Sequence, residues 1–400
     1  MEFYNKVKKT DDLKELTSSD LVFTRYLYIK EEVCIALLVS VLNKSDDAIF
    51  WAYELYYSGF KHEFFNLIWK IYYDFFATLN PAFEVYLLKK HKELLNTNGE
   101  TDDSQDKLVS SIIQDLLFRP FNSDMFLLRN ICEKFDVDIS YTKEITNIDD
   151  LKDNMIQWVS NKDLRSIAQW ILNLNNNKIK LVDIYDICLD IFNNLTKSKL
   201  MKEFDYALSN LILNINPNII LLSKIITLFS NSKKGKNIYI SVDPEDIIQY
   251  KTIVGNNDIL AYQILKKACI CGIDDFKHLS LFKLARNKYN LQETYWYHWE
   301  YHASFSPIWL KRIKQFGGYR DYSNRQLLFV KKPDDILLQE FYKLYGLEPD
   351  EGPLDIQNKS IQPIEKIYDW KWFNNKYKKN GIFEIYEEEL EEFDIDGLIY

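Results

Sequence analysis

Two histidines, His298 and His302, stand four residues apart in YWYHWEYHASFSPIW (295–309), with Glu300 between them. On a helix that spacing puts both imidazoles on one face, the arrangement of two metal ligands. A zinc-hydrolase helix needs its glutamate directly after the first histidine, where it reaches the bound water. Trp299 holds that place, and Glu300 lies about 200° round the helix from His298. No third ligand stands near in sequence. The aromatic neighbours instead fit core or interface packing, with the imidazoles hydrogen-bonded at its margin. His298 and His302 are therefore the chain's metal candidates, but without an outer shell to complete them.

Other chemistry-bearing groups are sparser. Cys269, Cys271 and His278 in ACICGIDDFKH offer zinc-type ligands. Structural zinc motifs put two to four residues between cysteines, usually in two pairs; here only Ile270 intervenes and a fourth ligand is missing, so buried free thiols fit better. The basic loop SKKGKN holds Lys233, Lys234 and Lys236, and LKRIKQFGGYR holds Arg312 and Lys314. These five are the candidate phosphate contacts, because bases interleaved with aromatics can bind single-stranded nucleic acid. The loop is no P-loop, since it lacks the second glycine and the following Ser or Thr. No nucleophile-elbow, dinucleotide or calcium-loop pattern occurs. No cofactor is expected, and an enzyme is the weaker expectation.

The charge is unevenly placed. Eight acids and no base fall between Glu384 and Tyr400, and the remaining chain carries 51 acids against 50 bases. A body so close to neutral is not a strongly basic nucleic-acid binder. The acidic segment FEIYEEELEEFDIDGLIY also carries large apolar residues, among them Tyr386, Leu390 and Phe393. It either docks back on a basic part of the chain or binds another protein as a short linear motif.

The elements that would position these groups are helices. Glycine is scarce, 11 in 400 residues, while 47% of the chain is hydrophobic and 15% aromatic. Doubly wound α/β folds and sandwiches need more glycine for their loops. Apolar residues recur at helical spacing through most of the chain. The fold class expected is mainly α: helical hairpins stacked as an irregular solenoid or multi-helix bundle, with a small β element near 238–242 and 325–330.

A long helix is expected from an N-cap at Ser19 or Asp20, then one from Ser45 to a stop at Gly59, one ending at Asn80-Pro81, and one opening at Pro81. NTNGETDDSQD (96–106) is the best linker. Further helices are expected over 107–118, 124–135, 148–160, 162–174, 181–195, 200–215, 217–230, 258–270, 275–288 and 333–346. The division expected is 1–95, a linker 96–106, 107–230, 231–346, and an irregular extension 347–400. No fixed repeat period is present.

Five widely spaced cysteines (Cys34, Cys132, Cys188, Cys269, Cys271) suit a reducing compartment. The N-terminal residues carry no apolar signal core, and no stretch is long and apolar enough to span a membrane. The expectation is a cytoplasmic protein without membrane contact.

The composition is rich in Asn, Lys, Ile and Tyr. With the strings FWAYELYYSGF, KIYYDFFATLNP, WEYHASFSPIWLKRI and EFYKLYGLEPDE, the chain resembles a family of uncharacterised helical proteins of giant nucleocytoplasmic DNA viruses. That resemblance implies a viral product in host cytoplasm or virion, and supplies no catalytic residues. The function expected is a non-enzymatic scaffold that binds protein partners. Tyr53, Tyr56, Tyr57, Tyr295, Trp296 and Trp299 would be its anchors, because Tyr and Trp dominate binding hot spots. A nucleic-acid-associated scaffold is the alternative, and a metal-dependent enzyme using His298 and His302 the second.

Overall fold

The computed structural model describes residues 21–95, 103–134, 138–139, 141, 144–174, 179–197, 215–230, 239–240, 242–251, 291–330, 336–345, 354 and 370–384. Sixteen α-helices and one two-stranded antiparallel sheet lie among them, so the fold is mainly α with a small β element. The described residues form two compact units. One takes 21–64 and the residues between 242 and 368; the other takes 65–241 and 369–384. Neither follows the consecutive division at 95, 106, 230 and 346 expected from the linkers.

The first unit begins with a segment that is not helical. Residues 21–29 fold back on themselves through a bridge between Phe23 and Ile29, with Leu27 in the left-handed region at φ 61°. Thr24 N–H donates to the Tyr28 carbonyl (2.8 Å) and Lys30 N–H to that of Val22 (2.8 Å). The helix expected from Ser19 or Asp20 therefore starts only at Lys30. Helix α1 (Lys30–Asn43) buries almost its whole circumference from Val33 on, as an apolar run without a polar face must. Left-handed Lys44 closes it, donating its N–H to the Ser40 and Val41 carbonyls. Three residues then lead to α2 (Asp47–Tyr57), and a link that short makes the two antiparallel neighbours. Gly59, at φ 93°, ends α2 as expected of a glycine stop.

The rest of this unit is α11 (Pro244–Lys251), α12 (Leu291–Tyr297), α13 (Trp299–Ala303), α14 (Pro307–Gln315), strands β1 (Gly318–Asp321) and β2 (Gln326–Phe329), and α15 (Ile336–Tyr345). Ser306 caps α14 by accepting from the Trp309 N–H, and Pro307 sits where its missing N–H costs nothing. The core joins Leu21, Phe23, Leu27 and Ile29 to Trp299, Ala303, Trp309, Ile313 and Phe341. Residues as distant in sequence as Leu21 and Phe341 thus share one interior. The strands pair Gly318 with Phe329, Tyr319 with Leu328, Arg320 with Leu327 and Asp321 with Gln326. RQLLFV is the strand expected, but its partner is the neighbouring GYRD. Tyr239, Ile240 and Val242 are not in a strand, since a local hairpin closes over a much shorter loop.

The second unit begins within α3 (Lys61–Ile71), which runs into a π-helical turn, Tyr72–Phe76, buried at all five positions. It continues through α4 (Phe83–Leu95), α5 (Asp103–Phe118), α6 (Asp124–Lys134), α7 (Ile148–Asn161), α8 (Leu164–Leu172), α9 (Leu181–Thr196), α10 (Pro217–Phe229) and α16 (Trp370–Tyr377). Helix α10 packs on α8, α9, α6 and the π turn. Two buried ion pairs tie distant segments: Arg129 to Asp74 (2.8 Å) and Lys224 to Glu84 (2.8 Å). The helices expected at 200–215, 258–270 and 275–288 lie outside the described residues.

Candidate functional site

The densest group of buried charge in the first unit grows from the folded-back segment. Its non-helical backbone leaves the Arg25 and Tyr26 amides without helical partners, and side chains of α2 supply them. Arg25 N–H donates to Ser58 Oγ (2.8 Å) and Tyr26 N–H to Glu54 Oε1 (3.1 Å). The Arg25 guanidinium donates through Nε to Glu54 Oε2 (2.9 Å) and through Nη1 to the Tyr250 carbonyl (3.0 Å). Its carbon lies 4.3 Å from the Tyr26 ring centre and 4.9 Å from that of Tyr57. Tyr57 stacks on Tyr53, which stacks in turn on Tyr250.

Arg312, on α14, is the other buried guanidinium among the described residues of this unit. Its guanidinium carbon stands 4.7 Å from the Trp309 ring centre and 4.9 Å from that of Tyr345. Trp309 is itself held by donating Nε1–H to the Thr24 carbonyl (3.0 Å). Exposure is 3% for Arg25, 0% for Glu54 and 8% for Arg312. Burial raises the Glu54 pKa against the opposing pull of Arg25. Burial lowers that of Arg312, and Arg25 pushes the same way. A guanidinium keeps its proton regardless. Among the described residues Arg312 makes no ion pair and no hydrogen bond. Arg25 Nη2 and the Tyr26 hydroxyl are buried without a hydrogen-bond partner.

The aromatic stretch at 295–309 is not one helix. His298, at φ −135°, interrupts it and stands at the N-terminus of α13. The shared helical face expected of His298 and His302 is thereby lost, and the two rings have separate partners. His298 Nδ1 meets the Arg325 carbonyl (3.0 Å), while buried His302 places Nδ1 on the Leu21 backbone, 3.2 Å from N and 3.1 Å from O. Glu300 accepts from the Tyr342 hydroxyl. No group of three or more metal-ligating side chains occurs among the described residues. The His298–His302 pair therefore holds two backbone segments in place.

The expected protein anchors are corrected in part. Tyr53, Tyr56 and Trp299 are buried, because the rings are consumed by the core and by the guanidinium clamp. Tyr57 is half-buried in the same stack. Tyr295 and Trp296 lie on α12, and their side chains, like all of Tyr386, Leu390, Phe393, Lys233, Lys234 and Lys236, lie outside the described part. So do Cys269, Cys271 and His278. Arg312 is withdrawn as a surface phosphate contact by its burial, while Lys314 is exposed.

The hairpin presents a surface that sequence reading did not single out. One face carries Leu327 and Phe329, which pack on the core, and Arg320, which donates to Ser304 Oγ (2.9 Å) and O (3.0 Å). The other face carries Tyr319, Leu328 and Val330, exposed by 39%, 40% and 39%. Period-two alternation in RQLLFV does signal such a face, but not which side meets solvent. Arg25 and Glu54 were missed as well. Their signal is a lone charge inside an apolar run, in VFTRYLY and FWAYELYY.

No protein-family model, no curated protein and no solved structure matches this chain.

Proposed function

We propose that this chain is a non-catalytic helical scaffold that binds a protein partner through the outer face of its β-hairpin. The observation that carries the reading is the apolar stripe Tyr319, Leu328 and Val330 on a hairpin whose inner face is pinned to the core. Tyr319 and Leu328 are direct cross-strand partners, so they form one continuous apolar surface rather than two isolated side chains. A pinned hairpin loses little freedom on binding, which favours affinity. The partner would offer an apolar surface of its own, with a tyrosine pocket at its centre.

The test is capture of partners by the full chain and by the double substitution Tyr319→Ser, Leu328→Ser. Partners held by the native chain and lost at least tenfold by the variant, with helical circular dichroism unchanged, are the expected outcome. Equal recovery by both chains would remove the hairpin from the reading.

A further inference from the structure

We propose that a groove on the second unit, built from Asp124, Arg165 and the Phe121 carbonyl, recognises the peptide pattern Asn-Gly-x-Phe, and that this chain fills it with its own residues 380–384 as a releasable strap. Those residues follow α16 and form no regular element. Left-handed Asn380, at φ 54°, turns the chain, and its Nδ2–H donates to the Phe121 carbonyl (3.4 Å). The two amides after Gly381 meet one carboxylate: Ile382 N–H donates to Asp124 Oδ2 (3.1 Å) and Phe383 N–H to Asp124 Oδ1 (3.2 Å). The charge of the carboxylate strengthens both bonds. A β-carbon on Gly381 would stand 2.5 Å from Asp124 Oδ1, so only glycine lets the backbone come this close. Phe383 is 5% exposed, and its ring centre lies 5.3 Å from the guanidinium carbon of Arg165, which also donates to the Glu384 carbonyl (3.2 Å).

These are the contacts of a bound peptide rather than of a core element. Main-chain hydrogen bonds give the hold, while one buried ring and one required glycine give the selectivity. The two recognising side chains come from the first turns of α6 and α8, which pack on each other and so hold the groove in shape. The outer side of the strap meets solvent: Ile382 is 38% exposed and the Glu384 side chain 82%. Its departure returns the Asp124 carboxylate to water and exposes one ring, without parting the helices beneath. Phe383 is also where the acidic, apolar segment begins. The groove therefore sets whether the head of that segment is tethered to the second unit.

The probe is a fluorescent, amidated peptide of residues 378–384, KKNGIFE, mixed with the full chain. In the native chain the tethered strap competes at an effective concentration of about a millimolar, so uptake of the peptide is weak. Gly381→Val in the full chain is expected to drive the strap out and to raise peptide affinity at least tenfold, read by fluorescence anisotropy. Phe383→Ala, which removes the anchoring ring and adds no bulk, is expected to do the same and serves as the second opened chain. Helical circular dichroism checks that each variant is folded. Adding Asp124→Asn to an opened chain, which leaves one oxygen for two amides, is expected to cut the affinity at least fivefold. A peptide carrying the same Gly381→Val change is expected not to bind. In the native chain, the Ile382 and Phe383 amides are expected to exchange with solvent at least tenfold more slowly than in the free peptide. Exchange at the free-peptide rate overturns the strap. Equal uptake by the native and both opened chains, no uptake by either opened chain, or uptake undiminished by Asp124→Asn overturns the groove.

Discussion

At the scale of single residues, burial decides what each charged group does. Glu54 is surrounded by donors and still has a raised pKa, because loss of water outweighs them. The same contest can be tested more cleanly in the second unit, at Asp124. Its carboxylate accepts from the Ile382 N–H (3.1 Å) and the Phe383 N–H (3.2 Å), and burial lifts its pKa from 3.8 to about 6. The folded chain therefore holds this proton more tightly than the unfolded chain. Stability contributed by the protonated form is present at low pH and is lost as pH rises from about 4 to about 6. Asp124→Asn cannot lose it. Relative to the variant, the native chain should weaken by on the order of 2–3 kcal/mol across that window. Urea unfolding of both proteins near pH 4.5 and pH 7 measures the change, and a pH-independent difference would contradict it.

At the scale of elements, the joint after α2 carries a sharp prediction. Gly59 is at φ 93°, and a β-carbon there would lie 2.6 Å from Pro307 Cβ. Gly59→Ala meets both a left-handed backbone penalty and a clash with a stiff ring, so a loss of about 2–3 kcal/mol is expected in equilibrium unfolding. Gly59 is also where sequence and structure agree best, since a glycine stop is a local signal. So are Asp124–Lys134, Ile148–Asn161 and Leu181–Thr196, whose starts match the apolar periodicity to the residue. The start of α1 was not legible. VFTRYLY has helical spacing, but Trp309, Ser58 and His302 supply hydrogen-bond partners that a helix there would forgo. Those partners lie up to 285 residues away, beyond any local pattern. The Arg25–Glu54 pair was hidden for the same reason.

At the scale of the whole molecule, the chain visits its first unit, leaves, and returns. The interior around Phe23 is completed only by Trp299, Trp309 and Phe341. A chain ended after residue 241 keeps α1 and α2 but lacks that lining. Amides over residues 22–30 should then exchange with solvent at nearly the rate of an unfolded peptide, while α8 stays protected. Hydrogen exchange read by mass spectrometry checks this, and slow exchange over 22–30 in the shortened chain would contradict it. Long-range closure of this kind also slows folding, because ordering the first unit waits on segments far along the chain.

The widened turn at Tyr72–Phe76 fixes a phase as well as a shape. It aims Tyr73 at Glu84 and Asp74 at Arg129 from successive positions. Deleting one residue there would turn residues 65–71 by about 100° about the helix axis relative to the residues that follow, as if a screw thread had skipped. Trp69, which now donates to His91, would swing off its acceptor. The extra residue is thus a timing mark: it sets the clock angle at which one half of the rod meets the other.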